Sequence, residues 1–285
     1  MTKEQILEKL VKDLETRGRS EDTVRSYHIH VRLFQDHFDK PADQMGEAEI
    51  AEYLHYLIKV KKLAPASVNT QNSTLRFLYG ETLDRVLNLR KIPRVKQTRS
   101  IPDLPSKEEL SYLFYLAGYS EKNGKRNRAL FMTIYGSGLR ISEACNLKIS
   151  DIDSKNGRIL IRKGKGGRDR YALLPKKSLE ALREYWAVVQ PTDWLFVTKF
   201  GTQMTEKAIS DAWKATLKLS KITKRITVHM LRHCFATHML NEGQNIFAIK
   251  QLLGHVRMDT TTWYLQFAES EVLKLKSPLD TMKGC

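Results

Sequence analysis

The chain has 285 residues, enough for two modest domains with a core each. It is 41% hydrophobic and 28% charged, and 48 basic against 32 acidic side chains leave a net charge of +16, which attracts polyanions and suggests nucleic acid or an anionic membrane. No apolar run reaches transmembrane length, and Met1-Thr2-Lys3-Glu4-Gln5 carries no secretory pattern. Cys145, Cys234 and Cys285 form no CxxC pair, so a membrane span, a disulfide framework and a zinc–cysteine site are not expected, and a reducing cytoplasm is.

Residues 1–88 follow the 3.6-residue period of amphipathic helices. Ile6, Leu7, Leu10, Val11 and Leu14 form one stripe, stopped by Gly18. Ser20 is expected to cap a second helix carrying Val24, Tyr27, Val31, Phe34 and Phe38, and Pro41 ends that region. A third helix carries Ile50, Tyr53, Leu54 and Leu57; Pro65 opens a fourth with Val68, Leu75, Phe77 and Leu78. Four short helices predict a small all-α domain. Residues 89–105 hold Arg90, Lys91, Arg94, Lys96 and Arg99, no acid before Asp103, and Pro93, Pro102 and Pro105. Such a segment reads as an extended basic linker. It is either a solvated loop or, given its charge, a strap that touches phosphate.

A second domain is expected over 106–285. Ser106-Lys107-Glu108-Glu109 is a capping-box pattern, and Arg126–Tyr135 reads as a buried helix closed by Gly136. Arg158–Arg162 and Arg170–Leu174 are short strands joined by a hairpin turn at Gly164-Lys165-Gly166-Gly167. Helices are predicted near Ser178–Val189, Thr205–Leu219, Val228–Asn241 and Ile246–Leu253, and a last one from about Thr260 carries Tyr264. The predicted class is mainly α with one small antiparallel sheet.

Several chemically capable residues arrive in order along this domain. Arg140 follows Gly136-Ser137-Gly138-Leu139 at the expected start of a helix, whose amide dipoles add positive potential. His229 and Arg232 share a helical face, and His255 follows Gly254 at an expected helix C-terminus. A phosphodiester gains negative charge in its pentavalent transition state. Two guanidiniums suit that charge, because each is planar, bidentate and permanently ionised. Tyr264, nine residues after His255, supplies a nucleophilic oxygen; with an ordinary pKa of about 10 it needs a base and a positive field.

The ordered set resembles the tyrosine recombinase (phage-integrase) family. That pattern is an Arg in G-x-G-x-R-x-x-E, a Lys in a β-hairpin, H-x-x-R, then L-G-H and a Tyr nine residues on. Here the matching residues are Arg140 with Glu143, Lys165, His229 with Arg232, His255 and Tyr264. Ser20-Glu-Asp-Thr-Val-Arg-Ser-Tyr27 resembles the start of the family's core-binding domain. Gln266 departs from the His or Arg that many relatives place two residues after the nucleophile.

The resemblance implies a four-helix, SAM-like core-binding domain and an α+β catalytic domain of the DNA breaking-rejoining enzyme fold. It implies that Tyr264 attacks a scissile phosphate, forming a 3′-phosphotyrosyl link and releasing a 5′-hydroxyl. Lys165, or its neighbour Lys163, protonates that oxygen; His229 serves the tyrosine side; Arg140, Arg232 and His255 hold the non-bridging oxygens. Neither ATP nor a metal is needed. The implied partners are double-stranded DNA with inverted-repeat core sites and other copies of the chain, as a tetramer on DNA. Arg25 and Arg76 lie either on plain solvated helix faces or, as the resemblance implies, on the helices that relatives insert into the major groove; Arg94, Lys96 and Arg99 would add phosphate contacts. The short chain resembles Xer-type and transposon- or integron-borne members.

Competing readings are weaker. His229, His233 and His238 suggest metal ligands, but a zincin helix needs His-Glu-x-x-His and no Glu sits there. Type IB topoisomerases share the phosphotyrosyl chemistry, but the N-terminal helical domain and the His255–Tyr264 spacing favour a recombinase. A regulator with a vestigial site is disfavoured because all six positions are filled.

Overall fold

The computed structural model describes residues 1–88, 90–96, 103–119, 123–162 and 169–254. The chain divides into two compact units, Met1–Ser100 and Ile101–Cys285.

The first unit is helical: α1 (Lys3–Thr16), α2 (Glu21–Phe38), α3 (Glu47–Lys59) and α4 (Pro65–Phe77), the last running into a π-helical turn at Leu78–Thr82. A Thr2–Gln5 capping box starts α1, Asp39 at φ 50° ends α2, and Pro65 occupies the first turn of α4, where its missing N–H costs nothing. Ser20 precedes α2 as expected, but its hydroxyl meets Thr23 Oγ1 at 2.9 Å and caps no backbone N–H. Ile6, Leu10, Leu14, Val31, Phe34, Ile50 and Val68 are fully buried in one core, each worth about 1.5–3 kcal/mol.

The expected linker begins later than the sequence suggests. Ile92 is fully buried in the helical unit's core. Asn69 donates to the Val95 carbonyl and accepts from the Val95 N–H, both at 2.9 Å. Asn72 donates to the Pro93 carbonyl at 3.1 Å, and Arg76 Nη2 donates to the Ile92 carbonyl at 2.7 Å. Residues 92–95 are thus strapped to α4 by polar side chains that a composition-based reading assigns to solvent.

In the second unit, α5 (Lys107–Ala117) opens with the expected capping box: Ser106 Oγ accepts from the Glu109 N–H at 3.2 Å, and the Ser106 N–H donates to Glu109 at 2.8 Å. Helix α6 (Gly124–Gly136) includes Gly136 rather than being closed by it; the left-handed turn falls at Gly138, φ +61°. A single turn, α7 (Ile141–Cys145), leads to an antiparallel sheet of order β1 (Ile152–Asp153), β2 (Arg158–Ile161), β3 (Arg170–Leu173). Two-residue β1 was too short to read from periodicity. The β2–β3 register pairs Ile159 with Ala172 and Ile161 with Arg170.

Helices α8 (Lys176–Val189), α9 (Glu206–Leu219), α10 (Val228–Asn241) and α11 (Ile246–Leu253) complete the described part. The core gathers around α6: Phe131 meets Trp213 edge-on at 4.7 Å, and buried Trp213 Nε1 donates to the Ile226 carbonyl at 3.1 Å. Among the described residues no helix is long and apolar enough to cross a membrane.

Candidate active site

Three sequence-predicted residues meet in this unit: Arg140, His229 and Arg232. Gly138 allows the first approach. Its φ is +61°, and a Cβ there would lie 2.6 Å from the Phe235 ring and 2.9 Å from Leu253, so only glycine lets the α6–α7 turn pass α10 and α11. Arg232, 1% exposed, uses that closeness: Nη1 donates to the Gly138 carbonyl at 2.7 Å and Nη2 to the Leu253 carbonyl at 2.6 Å. One buried guanidinium therefore ties α10 to the turn before Arg140 and to the end of α11.

Glu143 organises the charge. Its carboxylate accepts from Arg140 Nη1 at 2.6 Å and from the Arg140 N–H at 2.8 Å, and lies 3.6 Å from Arg232 Nη1. Arg170 Nη2 donates to it at 2.9 Å. Burial pushes the Glu143 carboxyl up, but Arg170, the Arg140 N–H and the other guanidiniums outweigh it and hold the group below the usual carboxylate range. The helix headed by Arg140 has only five residues, and Glu143 takes up its leading N–H. The helix-dipole potential expected at Arg140 is therefore small, and the positive field comes from the side-chain guanidiniums.

His229 is exposed in the first turn of α10. Loss of hydration to the surrounding protein, then the charges of Arg232 and Arg140, lower its pKa from the ordinary value. The ring is thus biased towards the neutral form that accepts a proton. His233, one turn on, stacks edge-on against His229 at 4.7 Å, and burial, His229 and Arg232 push it down to about 4. His238 is engaged elsewhere: its Nδ1 bonds Tyr135 Oη at 2.9 Å. Among the described residues no group of three or more His, Cys, Asp or Glu could hold a metal ion.

The depressed His233 pKa gives a pH dependence with a definite sign. The unfolded imidazole takes a proton near 6.5 and the folded one near 4, so its contribution is intact above about 6.5 and is lost as pH falls towards about 4. His233→Gln should remove that part of the acid slope, on the order of 2 kcal/mol, while His229 and His238 keep theirs. Urea midpoints at pH 7 and pH 4.5 measure it; equal slopes in wild type and variant would refute the assignment.

Lys165 and Lys163, His255, Tyr264, Arg99, and the helix expected from Thr260 lie outside the described residues. Arg25 stands exposed on α2, its side chain 72% accessible. Arg94 and Lys96 are exposed on the strap, with Arg94 Nη2 3.3 Å from Ser73 Oγ. Arg76 is half-buried and committed to Asn72 and the Ile92 carbonyl, so packing the strap is part of its task. The residue that sequence reasoning missed is Arg170. Strand alternation carries the signal: Arg170 lies two residues before buried Ala172, on the inward face of β3.

Known proteins match this architecture at both units. A family model described as the Phage integrase family matches residues 106–271, and one described as Phage integrase, N-terminal SAM-like domain matches residues 6–89. The protein y4qK of Sinorhizobium fredii, named as an integrase/recombinase, is 36% identical over 277 residues, spanning 96% of this chain and 88% of its own. Tyrosine recombinase XerA of Thermococcus onnurineus is 30% identical over 285 residues, spanning 98% and 97%. A crystal structure of the XerH site-specific recombinase bound to palindromic difH substrate, a post-cleavage complex, superposes with TM-score 0.76 at 25% identity, covering 96% of this chain and 84% of that one. The chain belongs to the phage integrase family of tyrosine recombinases. Its mostly helical build with a small antiparallel sheet is that family's fold.

Proposed function

We propose that this protein is a site-specific recombinase that cleaves and rejoins duplex DNA through a 3′-phosphotyrosyl intermediate. The observation that carries the reading is the pairing of Arg140 and Arg232 at Glu143, with His229 within the field of both guanidiniums, in a chain whose sequence continues to Leu-Gly-His255 and Tyr264. Tyr264 Oη attacks the phosphorus, the P–O5′ bond breaks, and the phenol proton passes to His229. Lys165, or Lys163, protonates the leaving 5′-oxygen. Arg140, Arg232 and His255 meet the charge gained by the non-bridging oxygens. Attack by a partner strand's 5′-hydroxyl reverses the step and reseals the DNA. The bond energy stays in the phosphotyrosyl link, so the cycle calls for no ATP.

In this reading the helical unit, with residues 92–95 packed on α4, forms the core-binding domain, the basic stretch that follows is the connection, and 106–285 is the catalytic domain. Exposed Arg25, Arg94 and Lys96, with Arg99 and the remaining face of Arg76, contribute phosphate contacts whose sum makes binding fall steeply with salt. The DNA carries inverted-repeat core sites, four protomers assemble on paired sites, and the work is cytoplasmic. The role favoured is integration or excision of a mobile element, supported by the 36% likeness to a protein named integrase/recombinase. Xer-type resolution of chromosome or plasmid dimers is the second reading, supported by the XerA match along almost the whole of both chains.

The test is a nicked suicide duplex built from the inverted repeat that flanks the gene or its element. A denaturant-resistant protein–DNA adduct released by protease is expected. No adduct on any inverted-repeat duplex would refute the recombinase reading, and relaxation of supercoils without site preference would mark a topoisomerase. A substrate repeat at element ends supports the mobile-element role; a single chromosomal repeat supports dimer resolution.

A further inference from the structure

Arg170 opens β3, and its side chain is only 12% exposed. Its guanidinium serves two acceptors. Nη2 donates to Glu143 Oε2 at 2.9 Å, and Nε donates to the Leu252 carbonyl at 3.0 Å. Glu143 in turn holds both the backbone N–H and the guanidinium of Arg140. The carboxylate is therefore fixed from two sides: rotating it to follow Arg140 breaks its bond to Arg170.

The second acceptor lies in the last turn of α11, just before Gly254. That glycine has φ +63°, and a Cβ on it would lie 2.8 Å from both Cδ and Nε of Arg170. The left-handed cap and the arginine thus occupy adjoining space, and any other residue would displace one of them. The glycine of the Leu-Gly-His sequence serves two needs: the turn, and room for Arg170.

We propose that Arg170 is a positioning residue for strand cleavage: through Glu143 it sets the Arg140 guanidinium, and through the Leu252 carbonyl it sets the turn from which the chain continues to His255. The proposal rests on the recombinase reading. It explains why a cation is buried at a strand start, where an apolar residue would serve the core as well. A lysine cannot replace it, because one ammonium lacks the planar fork that reaches carboxylate and carbonyl together.

The experiment measures single-turnover adduct formation by Arg170→Lys, Arg170→Gln and Arg140→Ala on two suicide duplexes. One has an ordinary scissile phosphate; the other has a methylphosphonate there, whose neutral methyl removes the charge that Arg140 meets. On phosphate, the Arg170 variants should be slowed about 10- to 100-fold, less than direct loss of a transition-state donor, with DNA binding near wild type. On methylphosphonate, the ratio of wild-type to variant rate should shrink for the Arg170 variants and for Arg140→Ala together. A structural role alone leaves that ratio equal on both substrates, because misfolded protein is blind to the charge of the phosphate.

Equal ratios, or wild-type rates in Arg170→Lys, would overturn the proposal. Arg170→Lys keeps a positive charge beside Glu143 and serves if Arg170→Gln does not fold. Gly254→Ala, which pushes the arginine aside, should give the same substrate-dependent loss and add little to Arg170→Lys; full additivity would also count against the proposal. Wild-type protein that forms no adduct on either duplex would instead overturn the recombinase reading itself.

Discussion

Tyr264→Phe is expected to form no covalent adduct with DNA while binding it as wild type does. The substitution removes one oxygen and leaves the ring, so packing and charge are unchanged. No other group takes over: the reaction needs an oxygen nucleophile in line with the leaving 5′-oxygen, and the neighbouring guanidiniums are permanently protonated. The loss should be complete within the sensitivity of a suicide-substrate gel, against an ordinary gel-shift affinity. The variant also tests the field around the site. If Arg140, Arg232 and His229 bind the phosphate without chemistry, Tyr264→Phe should still protect the same bases from nuclease. Adduct at the wild-type rate would move the nucleophile to another tyrosine.

What could be read from sequence, and what could not, follows from the range of the forces involved. Helices that bury one stripe were legible from the period: α1 buries Ile6, Leu10 and Leu14, and α9 buries Ile209, Trp213 and Thr216. The ordered motif gave Arg140, His229 and Arg232, which lie 92 residues apart along the chain at the extremes, and the fold brings two of them to one carboxylate. Three features escaped because long-range contacts decide them. The strap 92–95 looks like linker by composition, yet Asn69, Asn72 and Arg76 supply the hydrogen bonds a linker would take from water. Gly136 reads as a helix stop, but the close approach of Phe235 and Leu253 puts the turn at Gly138. Alternation turns Arg170 inward, but what it serves is decided by partners 27 and 82 residues away.

Arg232→Ala is expected to fail twice, and Arg140→Ala once. Both remove a guanidinium proposed to meet the transition-state charge, so each should slow adduct formation on the order of 10²–10³-fold, by analogy with loss of one oxyanion donor. Their structural duties differ. The Arg140 side chain is 21% exposed and pairs with Glu143, which keeps Arg170 as a partner when Arg140 is truncated. The Arg232 side chain is 2% exposed and holds the Gly138 and Leu253 carbonyls. Alanine there strands two buried acceptors and leaves a cavity between α10 and α11, costing about 2–5 kcal/mol. Urea denaturation should show a clear fall in midpoint for Arg232→Ala and a small one for Arg140→Ala, with both slowed under conditions where each remains folded. Arg232→Lys should not recover both losses, since a single ammonium cannot span two carbonyls and a phosphate. If Arg232→Ala unfolds at the wild-type midpoint, the two carbonyl bonds add nothing to stability. If it forms adduct at the wild-type rate, Arg232 is a strut of the fold and the phosphate charge must be met by Arg140 and its neighbours.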